Sequence, residues 1–344
     1  MRAMPPYRDS LIMGLAALLL VTFVLPAEAI RLRRITETPR DENWSTWDLG
    51  GTSALFSSGE SICSNGEWFC GPQNVWEMTF GSTGSALGMK LIIEDVYHPR
   101  MSPDGEWVAA MKSNGNDYDI WIWPTGRWEA RVQFQSLEGF QERFPNWSND
   151  SRFIAFDSDR PSDLGTTGYQ VYYAPVDDPS NIQAAVQVTF LGSNNKHPTW
   201  RGDDKEIAYV GDAQENRTIS AVDLETGEYR RITDVVHQNR HPDWSPDGRW
   251  IVFVTDRWDG IGDIAIIRAD GSGDPIRISE GMVGHDDFPE WSRDSQSIMF
   301  CGTAIEIPLR PNKEIYIADD LPLDIVPVRE RSMGRFKGRF RAKQ

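Results

Sequence analysis

Cysteine is scarce: three residues among 344, with no Cys-x-x-Cys pair and no Cys/His spacing that would close a zinc site. The signatures of common enzyme chemistries are missing too. There is no Gly-x-Ser-x-Gly elbow and no His-Glu-x-x-His. The Gly/Ser-rich stretch Gly81 to Gly88 has no Lys-Ser/Thr to complete a phosphate loop. Together these absences turn the reading away from an enzyme and supply no cofactor. Long apolar runs are also lacking. The one candidate, Leu11 to Leu25, is short for a membrane span. It follows Arg2 and Arg8 and precedes Ala27-Glu28-Ala29, the order of a cleavable export leader. Residues 1–29 are therefore expected to be a signal peptide, and the mature chain to be periplasmic or secreted.

In such a compartment Cys63 and Cys70, which flank a short Gly-containing loop, can pair; their spacing equally permits two free thiols. Cys301 follows Phe300 in an apolar run and is expected to be a buried free thiol. The formal net charge is −16, although residues 329–344 hold seven Lys/Arg against one Glu. The rest of the chain is thus more acidic than the total implies, which argues against nucleic acid as a partner. The basic stretch, Arg335-Phe336-Lys337-Gly338-Arg339-Phe340-Arg341 at its centre, is expected to be a disordered tail, able to meet an anionic surface or the chain's own acidic body.

Plentiful instead is self-similarity. Five segments superpose: His98-Pro99-Arg100-Met101-Ser102-Pro103-Asp104-Gly105, Phe144-Pro145-Asn146-Trp147-Ser148-Asn149-Asp150-Ser151, His197-Pro198-Thr199-Trp200-Arg201-Gly202-Asp203-Asp204, His241-Pro242-Asp243-Trp244-Ser245-Pro246-Asp247-Gly248 and Phe288-Pro289-Glu290-Trp291-Ser292-Arg293-Asp294-Ser295. Their anchor prolines stand 46, 53, 44 and 47 residues apart, the period of a four-stranded propeller blade. Ser-Pro-Asp-Gly is turn chemistry: Pro presets φ and Gly closes the turn. Apolar β-branched and aromatic runs such as Trp250 to Phe253 follow it and read as buried strands. The anchor Pro cannot donate to a ladder, so it belongs on the edge strand that faces a central channel.

The expectation is an all-β, six-bladed propeller over residues 30–328. The sixth blade is placed at the front, with Ser64-Asn65-Gly66-Glu67-Trp68-Phe69 as a worn copy of the turn and residues 75–93 as later strands. The outer strand of the last blade is expected from Ile30 to Thr36, with Leu323 to Val328 as the competing candidate.

The repeat Pro-x-Trp-Ser-Pro-Asp-Gly, followed by a strand, an Asp-Arg-x-x-Gly loop (Asp256 to Gly260) and Asp-Ile, resembles the WD-like repeats of TolB-type propellers. The resemblance covers about residues 60–320 and is specific to fold rather than function. It does not include the α/β domain that precedes the propeller in TolB, so the partners of that system are not carried over.

Two sets of residues follow from the register. His98, His197 and His241 occupy one position in three blades, just before the anchor Pro. Three imidazoles near a channel can bind a transition metal, as in propeller lyases of similar fold, but the position alternates with Phe144 and Phe288 and is read as structural. One residue earlier stand Tyr97, Arg143, Lys196, Arg240 and Asp287, expected to line the channel mouth. Three cations there on an acidic body would steer an anionic ligand or an acidic peptide end. The function read from the sequence is a non-enzymatic binding or scaffold propeller with a protein or envelope component as partner. The alternative is a carbohydrate lyase or hydrolase with a metal at the channel mouth.

Overall fold

The computed structural model describes residues 30–37, 41–59, 73–80, 86–115, 117–161, 165, 167–192, 194–213, 216–282, 284–303 and 313–323. The expected leader, Cys63, Cys70 and the basic stretch 329–344 lie outside them. Strand β1 (Arg31–Arg34) stands apart from its sequence neighbours. Blade I is β2 (Asp41–Trp47), β3 (Ser53–Gly59), β4 (Asn74–Phe80) and β5 (Ala86–Glu94). Blade II is β6 (Tyr97–Met101), β7 (Trp107–Ser113), β8 (Tyr118–Pro124) and β9 (Val132–Phe134). Blade III is β10 (Glu142–Trp147), β11 (Phe153–Ser158), β12 (Gln170–Pro175) and β13 (Val186–Gln187). Blade IV is β14 (Lys196–Trp200), β15 (Glu206–Ala213), β16 (Asn216–Asp223) and β17 (Tyr229–Arg231). Blade V is β18 (Asn239–Trp244), β19 (Trp250–Thr255), β20 (Asp263–Arg268) and β21 (Ile276–Arg277). Blade VI is β22 (Asp287–Trp291), β23 (Ile298–Thr303) and β24 (Lys313–Asp319), completed by β1.

The fold is thus a six-bladed propeller of four-stranded antiparallel blades. The N-terminal strand closes it: Arg31 pairs with Asp319 and Arg34 with Tyr316. That pairing covers the edge β24 would otherwise expose. The front blade differs from its expected form. Its inner strand is β2, whose Trp44-Ser45-Thr46-Trp47 takes the place of His-Pro-x-Trp, and its first turn is Asp48 to Gly51; Ser64 to Phe69, expected as that turn, fall outside the described residues. The later strands β4 and β5 lie where expected.

Second strands are buried on both faces because each blade is packed between two others. All six residues of β19 are buried, which explains the unbroken apolar run Trp250 to Val254. The core is accordingly split into one layer per blade junction. Between blades IV and V it holds Ile219, Ala221, Trp244, Ile251 and Phe253; between VI and I it holds Met299, Ile315, Ile317, Phe56 and Met78. The repeated Trp enters the layer shared with the preceding blade.

The turn chemistry is also as written in the sequence. Its fourth position takes a left-handed backbone in all six blades: Gly51 (φ 63°), Gly105 (73°), Ser151 (60°), Asp204 (58°), Gly248 (74°) and Ser295 (58°). Gly202, in place of the turn proline of blade IV, is needed for contact: a Cβ there would stand 1.9 Å from the Pro246 carbonyl oxygen.

Candidate functional site at the channel mouth

Each inner strand is interrupted at the same point. Tyr97 pairs with Met111 and Arg100 with Ala109, so the ladder skips His98 and Pro99; blades III to VI shift alike, and blade I skips Trp44 alone. The skipped residue before the Pro (before Ser45 in blade I) is left-handed in every blade: Trp44 (44°), His98 (54°), Phe144 (53°), His197 (52°), His241 (46°) and Phe288 (51°). A non-glycine residue pays for that conformation with strain of about 1–2 kcal/mol, held in place by the flanking ladder. It brings six rings together around the axis. Successive centroids lie 6.1 Å (Trp44–His98), 5.3 Å (His98–Phe144), 4.0 Å (Phe144–His197), 4.4 Å (His197–His241), 4.4 Å (His241–Phe288) and 4.7 Å (Phe288–Trp44) apart. The central opening is thereby floored by a closed aromatic girdle.

The three histidines expected at one register are thus members of that girdle. Phe144 stands between His98 and His197, and only His197 and His241 adjoin. Burial holds His98 and His197 well below the ordinary histidine pKa, so both are neutral. Among the described residues no three His, Cys, Asp or Glu side chains are grouped to hold a metal ion.

Residues before the girdle open on one mouth and residues after it on the other. On the first side the residues before the girdle fall into separate groups, and of them Arg240 and Asp287 line a cavity. Arg143 donates to Asp157 at 3.0 Å and lies 3.7 Å from the centroid of Tyr169; Lys196 Nζ lies 4.4 Å from the same ring. Burial, then repulsion from Arg143, lowers the pKa of Lys196. Opposite them, Asp287 binds His241 Nδ1, with Lys313 Nζ at 3.6 Å and His285 at 3.7 Å. Burial alone would raise the Asp287 pKa, but His241 and Lys313 together hold it far below the ordinary carboxylate range. Arg240 donates from Nη2 to His285 Nε2 at 3.1 Å, and among the described residues it has no carboxylate within ion-pair distance. Tyr97 packs edge-on against Tyr118 (5.6 Å), and burial pushes its pKa to about 12. A cavity of about 210 Å³ opens here, floored by Trp44, Phe144, His241 and Phe288 and walled by Arg240, His285, Asp287 and Lys313. Sequence reasoning missed Tyr169 and Lys313, each at the start of a third strand just before or within the Asp-Ile or Glu-Ile register, and His285.

The second side is shut by side chains two residues past each girdle ring. Thr46, Asn146, Thr199, Asp243 and Glu290 each accept from the backbone N–H of the next blade: Met101 (3.4 Å), Trp200 (3.4 Å), Trp244 (3.1 Å), Trp291 (2.9 Å) and Trp47 (3.4 Å). Arg100, which has no acceptor to offer, crosses the channel instead to Glu290 and, at 3.8 Å, Asp243.

Comparison with known proteins agrees with this architecture. The family model described as the TolB beta propeller domain matches residues 91–295. The chain belongs to that family. Among solved structures it is similar to TolB from Acinetobacter baumannii (TM-score 0.59, 21% identity), with 74% of this chain and 58% of that one covered. It is similar too to a TolB structure from Agrobacterium tumefaciens (TM-score 0.54, 22% identity; 67% and 80% covered). A third similar structure is the oligogalacturonate lyase from Vibrio parahaemolyticus (TM-score 0.52, 11% identity; 85% and 97% covered). At these identities the likeness is one of fold. This TolB-type chain spans less than two thirds of the length of the Acinetobacter protein. No curated protein sequence matches it.

Proposed function

We propose that this TolB-type propeller is an exported binding or scaffold protein, without covalent chemistry of its own, that holds an anionic partner at its first channel mouth. The observation that carries the reading is the pairing of an aromatic floor with a rim on which Arg240 lacks a carboxylate partner among the described residues. An acidic peptide segment bearing an aromatic or apolar side chain satisfies both parts: rings stack on the girdle, and its carboxylate meets Arg240, with Lys196 and Arg143 extending the attraction. The acidic remainder of the surface makes this mouth the place where a negative partner is admitted. Export rests on the leader pattern of residues 1–29, and mass spectrometry of the native chain, showing an N-terminus near Ile30, would support it.

Titration with the peptide Ac-Phe-Asp-Glu-Asp-OH tests the reading. Binding is expected to weaken as salt rises from 50 to 300 mM and to be absent for the neutral analogue Ac-Phe-Asn-Gln-Asn-NH2. Equal binding of the two would sink the proposal. The carbohydrate-lyase alternative rests on likeness of fold to the Vibrio enzyme, and the girdle histidines offer it no residue-level support.

A further inference from the structure

On the opposite face, the six blade junctions are not alike. At the junction of blades IV and V, Trp244 is covered by the chain's own guanidinium groups. The centre of Arg201 lies 6.0 Å from its ring and that of Arg230 5.6 Å, and Glu206 holds both through hydrogen bonds. At the junction of blades III and IV the equivalent tryptophan is Trp200, and every element of that cover has been replaced. Ser148 stands where Arg201 would be, and Phe153 where Glu206 would be. The strand registers continue the comparison. Ala208 pairs with Ala221 and Ala221 with Arg230, whereas in blade III Ala155 pairs with Tyr173 and Tyr173 with Val186. Small Ala221 and long Arg230 have become large Tyr173 and short Val186.

What remains is an open groove of about 340 Å³. Phe153, Tyr173 and Trp200 form one aromatic cluster along it, with centroids 5.7, 5.5 and 6.4 Å apart. Its rim holds Asp223 and Glu225. Asp223 commits Oδ1 to its own turn, accepting from Glu225 N, Thr226 N and Thr226 Oγ1, and Lys205, which lines the same groove, adds an attractive charge of the chain's own. The other rim carboxylates are engaged: Asp204 accepts from the Asn149 and Asp150 backbone, and Asp150 binds Arg152 at the groove's outer edge. The groove therefore has an aromatic surface and carboxylates like those a guanidinium satisfies next door; Arg152 reaches the Phe153 ring at 5.7 Å and Lys205 lines the groove, but among the described residues no guanidinium lies over Tyr173 or Trp200.

We propose that the groove between blades III and IV binds an arginine side chain of a partner peptide, stacked on Phe153, Tyr173 and Trp200 and paired with Asp223 and Glu225. Planar stacking on rings together with a bidentate fork to carboxylates selects arginine over lysine. The net charge of −16 favours a basic partner on this face, away from the cationic mouth. The site is independent of the anion-binding reading above.

The test is calorimetric titration of the full chain with Ac-Ala-Arg-Ala-NH2, alongside its citrulline counterpart, which keeps the shape and loses the charge. Saturable binding at one site is expected, at least tenfold weaker for citrulline. Glu225→Gln is expected to weaken it at least threefold. Val186→Arg, which puts a guanidinium where Arg230 stands in the next blade, is expected to abolish it with the near-UV circular dichroism unchanged. Equal binding of arginine and citrulline peptides, or undiminished binding by Val186→Arg, overturns the proposal. A further variant with the seven Lys/Arg of residues 329–344 changed to Gln separates the sources. Unchanged affinity supports an external partner; affinity raised tenfold means the chain's own tail fills the groove and overturns the assignment to a partner.

Discussion

Replacing Arg100 by Met puts the channel plug under direct strain. The Arg100 side chain is 15% exposed, and its partners Asp243 and Glu290 are 9% and 12% exposed. Removing one member of a buried ion cluster leaves charge without compensation and costs about 3–5 kcal/mol. The cost must depend on pH. Burial above all raises the Asp243 carboxyl, to about 7 in balance, with Arg100 pulling it down and Glu290 pushing it up. A carboxyl whose folded pKa lies above its unfolded value of about 3.9 contributes stability that is full below that value and is lost as pH rises through the folded pKa. Without Arg100 the folded pKa climbs further, so the loss deepens above neutrality. Urea unfolding at pH 8 is therefore expected to show the full cost. At pH 5, where the Asp243 carboxyl carries its proton, the cost is expected to be smaller than at pH 8 by at least about 1 kcal/mol. The triple variant Arg100→Met, Asp243→Asn, Glu290→Gln is expected to regain most of the stability at pH 8. A cost below about 1 kcal/mol at pH 8, or the same cost at both pH values, would refute the reasoning, since a desolvated cluster cannot lose its counter-charge so cheaply.

Asp286, raised to about 7 chiefly by burial and then by Asp263, Asp259 and Asp287 despite the hydrogen bond from Ser279, loses stability as pH rises through that value. Asp286→Asn is expected to flatten the pH profile and to stabilise the chain at pH 8 by on the order of 2 kcal/mol, read by urea unfolding at pH 5 and 8. Phe288→Ala removes a buried girdle ring that contacts both Trp44 and His241, and should cost about 3 kcal/mol by the same assay. Arg33→Pro deletes the ladder donor opposite Ile317 in the closing strand, two residues from the Ile35 N–H that bonds the Ile315 carbonyl. It should cost more than about 1 kcal/mol and raise proteolytic cleavage near residue 30, whereas closure by another segment would leave the protection unchanged.

The fold was readable because a residue type recurs for a reason in each blade. Pro99, Pro145, Pro198, Pro242 and Pro289 mark a strand edge that faces a channel, and the residue two positions on, Met101 in blade II and tryptophan in the other four, fills a blade junction. Blade I escaped this reading because it keeps the conformation without the letters. Trp44 is left-handed before Ser45 rather than Pro, and Leu49-Gly50-Gly51 stands in for Pro-Asp-Gly. The usable signal was Trp47 followed by a second buried strand at Ser53 to Gly59, one blade length before Trp107 to Ser113. Position before the anchor put Arg240 and Asp287 in the cavity wall and Arg143 and Lys196 beside Tyr169. Register alone could not show that His98, His197 and His241 would pack ring against ring with Phe and Trp, because that depends on the left-handed turn at each ring. Nor could it supply Lys313 and His285, which come from a third strand and a loop rather than the repeated segment.

The most direct test of the central claim measures Ac-Phe-Asp-Glu-Asp-OH binding to the native chain, to Arg240→Gln/Lys196→Gln at the first mouth, and to Arg249→Gln on the opposite face. A loss of at least tenfold in the mouth variant alone is expected. Equal affinity for all three proteins, or a loss only in Arg249→Gln, would contradict the account.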